Sequence, residues 1–282
     1  MIAVVDYHKG NLKSVERGLA AVGGDARITD DVDVIARADA IVLPGVGAFA
    51  DAAATMAELG QMEAVRARVD AGVPFLGICL GEHLMFEEGE EGAPEVGEGE
   101  EPRRPRGLAI LPGVVGRMPR VDAAGRAYKV PHVGWNAVVP AGAGAGALGV
   151  AGGGSKAQSL GQSCSHGSAA GASGSCGTRL VSTAPAPGDE AVPCAVVPSG
   201  SGQAEFACPL FDGVAPGEFF YFTHSYVAPD TPATVAVTTH SVTFPCAVQY
   251  RDRVFGVQFH PEKSSDAGAK VLANFVRIVG EI

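Results

Sequence analysis

Three short runs rich in apolar residues, Ile2–Asp6, Ala40–Leu43 and Phe75–Cys79, each lead into a stretch of helical character. This alternation is the strongest constraint on the fold. Strands apolar at successive positions need cover on both faces, and helical crossovers supply it around a parallel sheet. Leu12, Val15, Leu19 and Val22 fall at helical spacing before a Gly23-Gly24 stop. A single long helix is predicted over Phe49–Ala71, ended by Gly72-Val-Pro74, and a further helix over Gly81–Glu88. Beyond Arg106 the pattern changes to strand-like pieces at Leu108–Leu111, Tyr128–Val130, Phe219–Phe222, Thr234–Thr239, Cys246–Tyr250 and Val254–Phe259. Turn residues separate them, so this half reads as antiparallel or mixed. A last helix is predicted over Asp266–Ile278.

Between the halves, about 141–204, Gly, Ala, Ser and Pro dominate. Such a stretch has too few bulky apolar side chains to offset the entropy of ordering, and reads as a flexible surface insertion in one domain spanning 1–282. Cys164, His166 and Cys176 fall inside it and are weak candidates for binding a metal. The Glu-rich stretch Glu87–Glu101 reads as a helix end running into a solvated acidic loop.

The net charge of −10 argues against a nucleic-acid surface. No apolar run reaches the roughly 18 residues a membrane helix needs. Met1–Asp6 reads as a buried strand instead of a signal peptide, so a cytoplasmic location is expected. Six cysteines without C-x-x-C spacing point neither to a disulfide framework nor to zinc, and no metal or cofactor is expected.

Gly77-Ile-Cys79-Leu-Gly81 joins the third strand to a helix. Small residues two positions either side of a nucleophile permit the tight turn that presents it at the sheet edge. A helix start beside the thiol favours the thiolate, and the Leu80 amide points where an oxyanion would form. Alone, Cys79 could equally be a buried core cysteine. Far along the chain, Gly256-Val-Gln-Phe-His260-Pro-Glu262 brings a base to a strand end, with a carboxylate two residues on to orient it. Leu43-Pro-Gly45-Val46-Gly47 offers glycine-rich backbone at the end of the second strand.

These motifs, in this order, resemble the class I (triad) glutamine amidotransferases. Within them the chain is most similar to the glutaminase subunits of imidazole glycerol phosphate synthase. The resemblance is carried by Asp6-Tyr7, Gly10-Asn11-Leu12 and Ser14-Val15; by Pro74-Phe-Leu-Gly-Ile-Cys79-Leu-Gly81 and Phe86-Glu-Glu; and by Val130-Pro-His-Val-Gly-Trp135-Asn136, Tyr221-Phe-Thr-His-Ser225-Tyr226 and Phe255–Ser264. It implies a flavodoxin-like α/β fold, a mostly parallel sheet flanked by helices with an antiparallel extension. It also implies that Cys79 attacks the glutamine carboxamide, that His260 moves the proton and that Glu262 orients His260. Backbone at Gly45, Val46 and Leu80 would hold the oxyanion. Gly47, His83, Glu91, Ser225 and Tyr226 match glutamine-binding positions. Asn11, Trp135, Tyr221 and Lys263 match positions facing a (β/α)8-barrel cyclase, the partner in a heterodimer that receives the ammonia and makes imidazole glycerol phosphate and AICAR in histidine biosynthesis.

The chain departs from this family in three places. Gly81-Glu82-His83 stands where the family usually has Gly-Met-Gln, and an imidazole offers fewer hydrogen bonds than a carboxamide. His8 replaces a usual Gly, and the insertion is foreign to the family. His83 and the insertion motivate an alternative reading, a catalytically weak regulatory or scaffold subunit. Another triad amidotransferase, such as the pyridoxal phosphate synthase glutaminase, or a cysteine peptidase of similar fold, is the third.

Overall fold

The computed structural model describes residues 1–95, 103–142 and 205–281. The chain runs through β1 (Ile2–Val5), α1 (Leu12–Ala21), β2 (Ala26–Thr29), α2 (Val32–Ala36), β3 (Ala40–Gly45), α3 (Phe49–Glu58), α4 (Gln61–Asp70), β4 (Phe75–Cys79), α5 (Leu80–His83) and β5 (Phe86–Gly89). It continues through β6 (Leu111–Arg117), β7 (His132–Ala137), β8 (Val139–Pro140), β9 (Phe219–His224), β10 (Tyr226–Val227), β11 (Thr234–Thr239), β12 (Thr243–Tyr250), β13 (Val254–Val257) and α6 (Ser265–Gly280).

Eight strands form one sheet in the order β2-β1-β3-β4-β13-β12-β11-β8. The first five are parallel and the remaining pairings are antiparallel. The expected parallel sheet with an antiparallel extension is therefore present. Alternate side chains supply two cores, as the period of a strand requires. Val4, Val42, Leu76 and Ile78 pack with Val15 and Leu19 of α1 and Val271 and Phe275 of α6. Ala3, Val5, Ile41, Leu43 and Phe75 pack with Ile35, Phe49, Met56 and Val65 of α2, α3 and α4. Each fully buried Val, Ile, Leu or Phe contributes about 1.5–3 kcal/mol. Beside the main sheet stand a small sheet, β10-β6-β5, and a two-stranded ribbon, β7-β9.

Several boundaries differ from those read in the sequence. The long helix over Phe49–Ala71 is two helices, because Gly60 takes a left-handed conformation (φ +70°) and starts α4 anew. Gln61, wholly buried there, donates to the carbonyls of Asp6 and Asp30 and ties α4 to the ends of β1 and β2. The helix expected over Gly81–Glu88 is one turn, α5, after which Phe86–Gly89 pairs with β6 as a strand. The acidic stretch thus begins as β5 and not as a helix end. The strand read at Leu108–Leu111 starts at Leu111, and Tyr128–Val130 is a connection before β7. β2 and α2 escaped detection: β2 is an edge strand carrying Arg27, and α2 is a short helix capped by Asp31, whose carboxylate accepts from the Asp33 amide. Cys164, His166 and Cys176 lie outside the described residues.

Candidate active site

The site lies where β3, β4 and β13 end side by side. Gly45 sits opposite Cys79 in the β3–β4 register, and Val257 opposite Ile78 between β13 and β4. Three motifs far apart in the chain therefore meet at one sheet edge, at the carboxyl ends of parallel strands.

The turn at Cys79 has the strain of a nucleophile elbow. Its φ of +55° is one that a non-glycine residue adopts at a cost of about 1–3 kcal/mol. The flanking glycines make it possible. A β-carbon on Gly77 would stand 2.6 Å from the Gly81 carbonyl oxygen, and one on Gly81 would collide with the Leu43 carbonyl. A β-carbon on Gly45 would collide with the buried Tyr7 hydroxyl, so β3 can pass this point only as glycine. His8 has φ +65°, a left-handed conformation that glycine adopts more readily than histidine.

His260 follows β13 and is buried beside Cys79. Its backbone amide donates to the Tyr221 carbonyl at 2.9 Å. Its Nδ1 donates to Glu262 Oε1 at 3.0 Å, which leaves the buried Nε2 with no nitrogen or oxygen partner among the described residues and available to the Cys79 sulfur. Burial pulls the imidazole pKa down, but the Cys79 sulfur and the Glu262 carboxylate outweigh it and raise it to about 9. The arrangement favours an imidazolium facing sulfur, the ion pair from which a thiolate attacks.

A cavity of about 380 Å³ opens on Cys79, lined by Val46, Gly47, Leu80, His83, Glu91, Ser225 and Tyr226 among others. The two oxyanion candidates Val46 and Leu80 and all five glutamine-binding candidates thus border one space, with Gly45 directly beneath. Glu91 reaches it from the far side, accepting the Phe49 amide at the start of α3 at 3.3 Å. Burial raises its carboxyl pKa against the effect of that amide. His224 and Thr223 complete the wall and were not singled out from the sequence. Tyr221-Phe-Thr-His-Ser-Tyr226 pointed to the segment but not to those side chains. A groove of about 440 Å³ between α3, α4 and Pro105–Leu108 holds no nucleophile.

The partner-facing candidates divide. Trp135 and Tyr221 are opposite each other in the β7–β9 ribbon, their rings edge to face at 6.0 Å, and Lys263 Nζ lies 5.8 Å above Tyr221. Trp135 is 47% exposed, so its indole is not part of the core. Val133 (57%) and Phe219 (50%) extend the same ribbon and went unnoticed in the sequence. Asn11 is exposed at the start of α1, without a capping hydrogen bond from its side chain. Among the described residues no group of three His, Cys, Asp or Glu side chains is placed to hold a metal, and no helix is long and apolar enough to cross a membrane.

The glutamine amidotransferase class-I family matches residues 3–160 and 193–279, both sides of this site. The chain belongs to that family. Among curated class-I relatives, the imidazole glycerol phosphate synthase subunit HisH of Syntrophotalea carbinolica is 34% identical over 98% of each chain. The subunit of the same name from Moorella thermoacetica is 36% identical over 99% of this chain and 95% of its own. A crystal structure of a glutamine amidotransferase superposes with a TM-score of 0.55 at 15% identity, covering 99% of this chain and 100% of that one. PurLQS from Thermotoga maritima gives 0.52 at 14%, covering 98% and 97%. At such identities these two structures speak to the class-I fold alone.

Proposed function

We propose that this chain is the glutaminase subunit of an imidazole glycerol phosphate synthase, working in the cytoplasm as a heterodimer with a (β/α)8-barrel cyclase. The observation that carries the reading is the end-to-end relationship to subunits of that name. The exposed ribbon bearing Val133, Trp135 and Phe219 supports a docked partner. The domain is read as one unit over 1–282, and the insertion read at about 141–204 lies, beyond Gly142, outside the described residues.

In this reading the cavity holds glutamine with its carboxamide over Cys79. The thiolate attacks the carboxamide carbon, and charge on oxygen is met by backbone amides at Gly45, Val46 and Leu80. His260 Nε2 gives its proton to the departing nitrogen, ammonia leaves, and a glutamyl thioester remains. The neutral imidazole then takes a proton from water, whose oxygen attacks the thioester, and glutamate and the thiolate–imidazolium pair are restored. Glu262 holds the ring in the tautomer these steps need.

The test is co-purification with the cyclase followed by glutaminase and synthase assays. Cys79→Ala is expected to abolish glutamine-dependent synthesis and to leave synthesis from added ammonia. Loss of both, or glutamine turnover surviving the substitution, would overturn the reading.

A further inference from the structure

Behind the nucleophile lies a buried contact that the triad does not use. Gln258, wholly buried two residues before His260, directs its Nε2 to the Cys79 sulfur at 3.8 Å. Its Oε1 lies 2.7 Å from His83 Nε2. Both side chains are interior, and Gln258 is further fixed by its backbone amide, which donates to the Cys246 carbonyl at 3.0 Å.

The roles in this chain of contacts follow from what sulfur can accept. The Thr223 carbonyl, 3.9 Å from Sγ, can only accept from the thiol, whereas a thiolate has no hydrogen to give and is served by the N–H half of the Gln258 amide that faces it. That leaves the Gln258 oxygen toward His83, which must donate through Nε2–H. Burial holds the His83 pKa down at about 4, so the ring is neutral and has one N–H only. That hydrogen is committed to Gln258, and Nδ1 remains as a lone-pair acceptor on a residue that lines the cavity.

We infer that His83 and Gln258 form a positioning relay, His83 Nε2–H to Gln258 Oε1 and Gln258 N–H to Cys79 Sγ, that locks the amide in the orientation stabilising the thiolate. Gln258 touches the reacting sulfur, whereas His83 acts through it. His83 in this chain therefore serves the nucleophile and has no N–H left to offer glutamine. The inference rests on Cys79 being the nucleophile of the proposed reaction.

The experiment reads the thiolate and not turnover. Carbamidomethylation of Cys79 by iodoacetamide is followed against pH in the full chain, by mass spectrometry of the Cys79 peptide, so that the other cysteines do not contribute. Gln258→Leu should move the midpoint up by about one pH unit, a roughly tenfold loss of rate near neutrality. Gln258→Glu, nearly isosteric and presenting oxygen to the sulfur, should move it further and covers the case in which the leucine variant does not fold. His83→Leu should give a smaller upward shift, because the freed amide can turn over, and His83→Gln, which keeps a donor, should restore the wild-type midpoint. An unchanged midpoint in a folded Gln258 variant overturns the relay. A shift there with none in His83→Leu overturns the part assigned to His83. Glutamine turnover in Cys79→Ala is the independent check on the underlying reading, and either result can fail without the other.

Discussion

Glu82 of α5 rests against Gly256 of β13, so closely that a β-carbon on the glycine would stand 2.8 Å from the Glu82 Cγ. The carboxyl is fully enclosed, and neither oxygen meets a donor among the described residues. Burial raises its pKa well above 4.5, so the fold favours the protonated acid.

A methionine, apolar and of similar length, should fit this space better. Glu82→Met is expected to stabilise the protein by about 1–3 kcal/mol, the range for removing an unpaired buried polar group. The gain should grow with pH. Above 4.5 the unfolded chain releases this proton while the folded chain keeps it, so wild-type stability declines as pH rises and the variant lacks that slope. Urea unfolding at about pH 5 and about pH 8 measures the difference; a gain that does not widen would mean the carboxyl finds a partner.

His260 should show the linkage of a base. Its pKa is raised from 6.5 to about 9, so the stability it contributes is complete below about 6.5 and is lost as pH rises through about 9. Glu262→Gln removes one of the two charges responsible. It should lower the imidazole pKa, flatten the alkaline loss of stability and cut glutamine hydrolysis by roughly a hundredfold or more. An imidazole titration by NMR, which should move toward 6.5 in the variant, checks the cause directly.

Gly81→Ala tests the elbow. Its β-carbon meets backbone, the Leu43 carbonyl, and not the yielding end of a side chain. A loss of about 3 kcal/mol or more is expected, with the nucleophile displaced. Gly280→Ala, at the end of α6 where nothing lies within 4 Å, should change the melting temperature little. Equal effects in the two variants would contradict the packing described.

Trp135→Ala tests the ribbon. The indole is half exposed and its ring contact is Tyr221, so the free chain should melt within a few degrees of wild type. Affinity for the cyclase should fall about tenfold to a hundredfold by titration calorimetry. Unaltered affinity would place the partner elsewhere.

The parallel half of the fold was legible because β1, β3 and β4 are central and apolar on both faces, a pattern that a strand covered by helices on either side requires and an exposed one does not tolerate. β2 was not, because at the sheet edge one side is free and Arg27 can sit there. The helix over Gly81–Glu88 failed for a tertiary reason: Phe86 and Gly89 are claimed by pairing to β6, which lies beyond the local window. Cys79, His260 and Glu262 were readable because each sits in a short motif whose spacing has a chemical purpose. Gln258 sits inside the same motif, yet its contact with Cys79 spans 179 positions and His83 was read as a wall of the cavity alone. Such contacts leave no local periodicity to detect. The exposed Val133 and Phe219 were hidden for the converse reason: an apolar strand residue reads as core whichever way it faces.

The placement of β13 has a consequence for how the protein comes into being. It lies between β4 and β12 in the sheet, yet it is the last strand in chain order among the described residues, and it follows β4 by well over a hundred positions. A growing chain therefore carries Cys79 on an incomplete sheet with an open edge, lacking both its base and the amide of Gln258. Joining the two halves requires contacts of very large sequence separation, which form slowly. Cys79 therefore gains His260 and the Gln258 amide together, in the single step that seats β13 against β4.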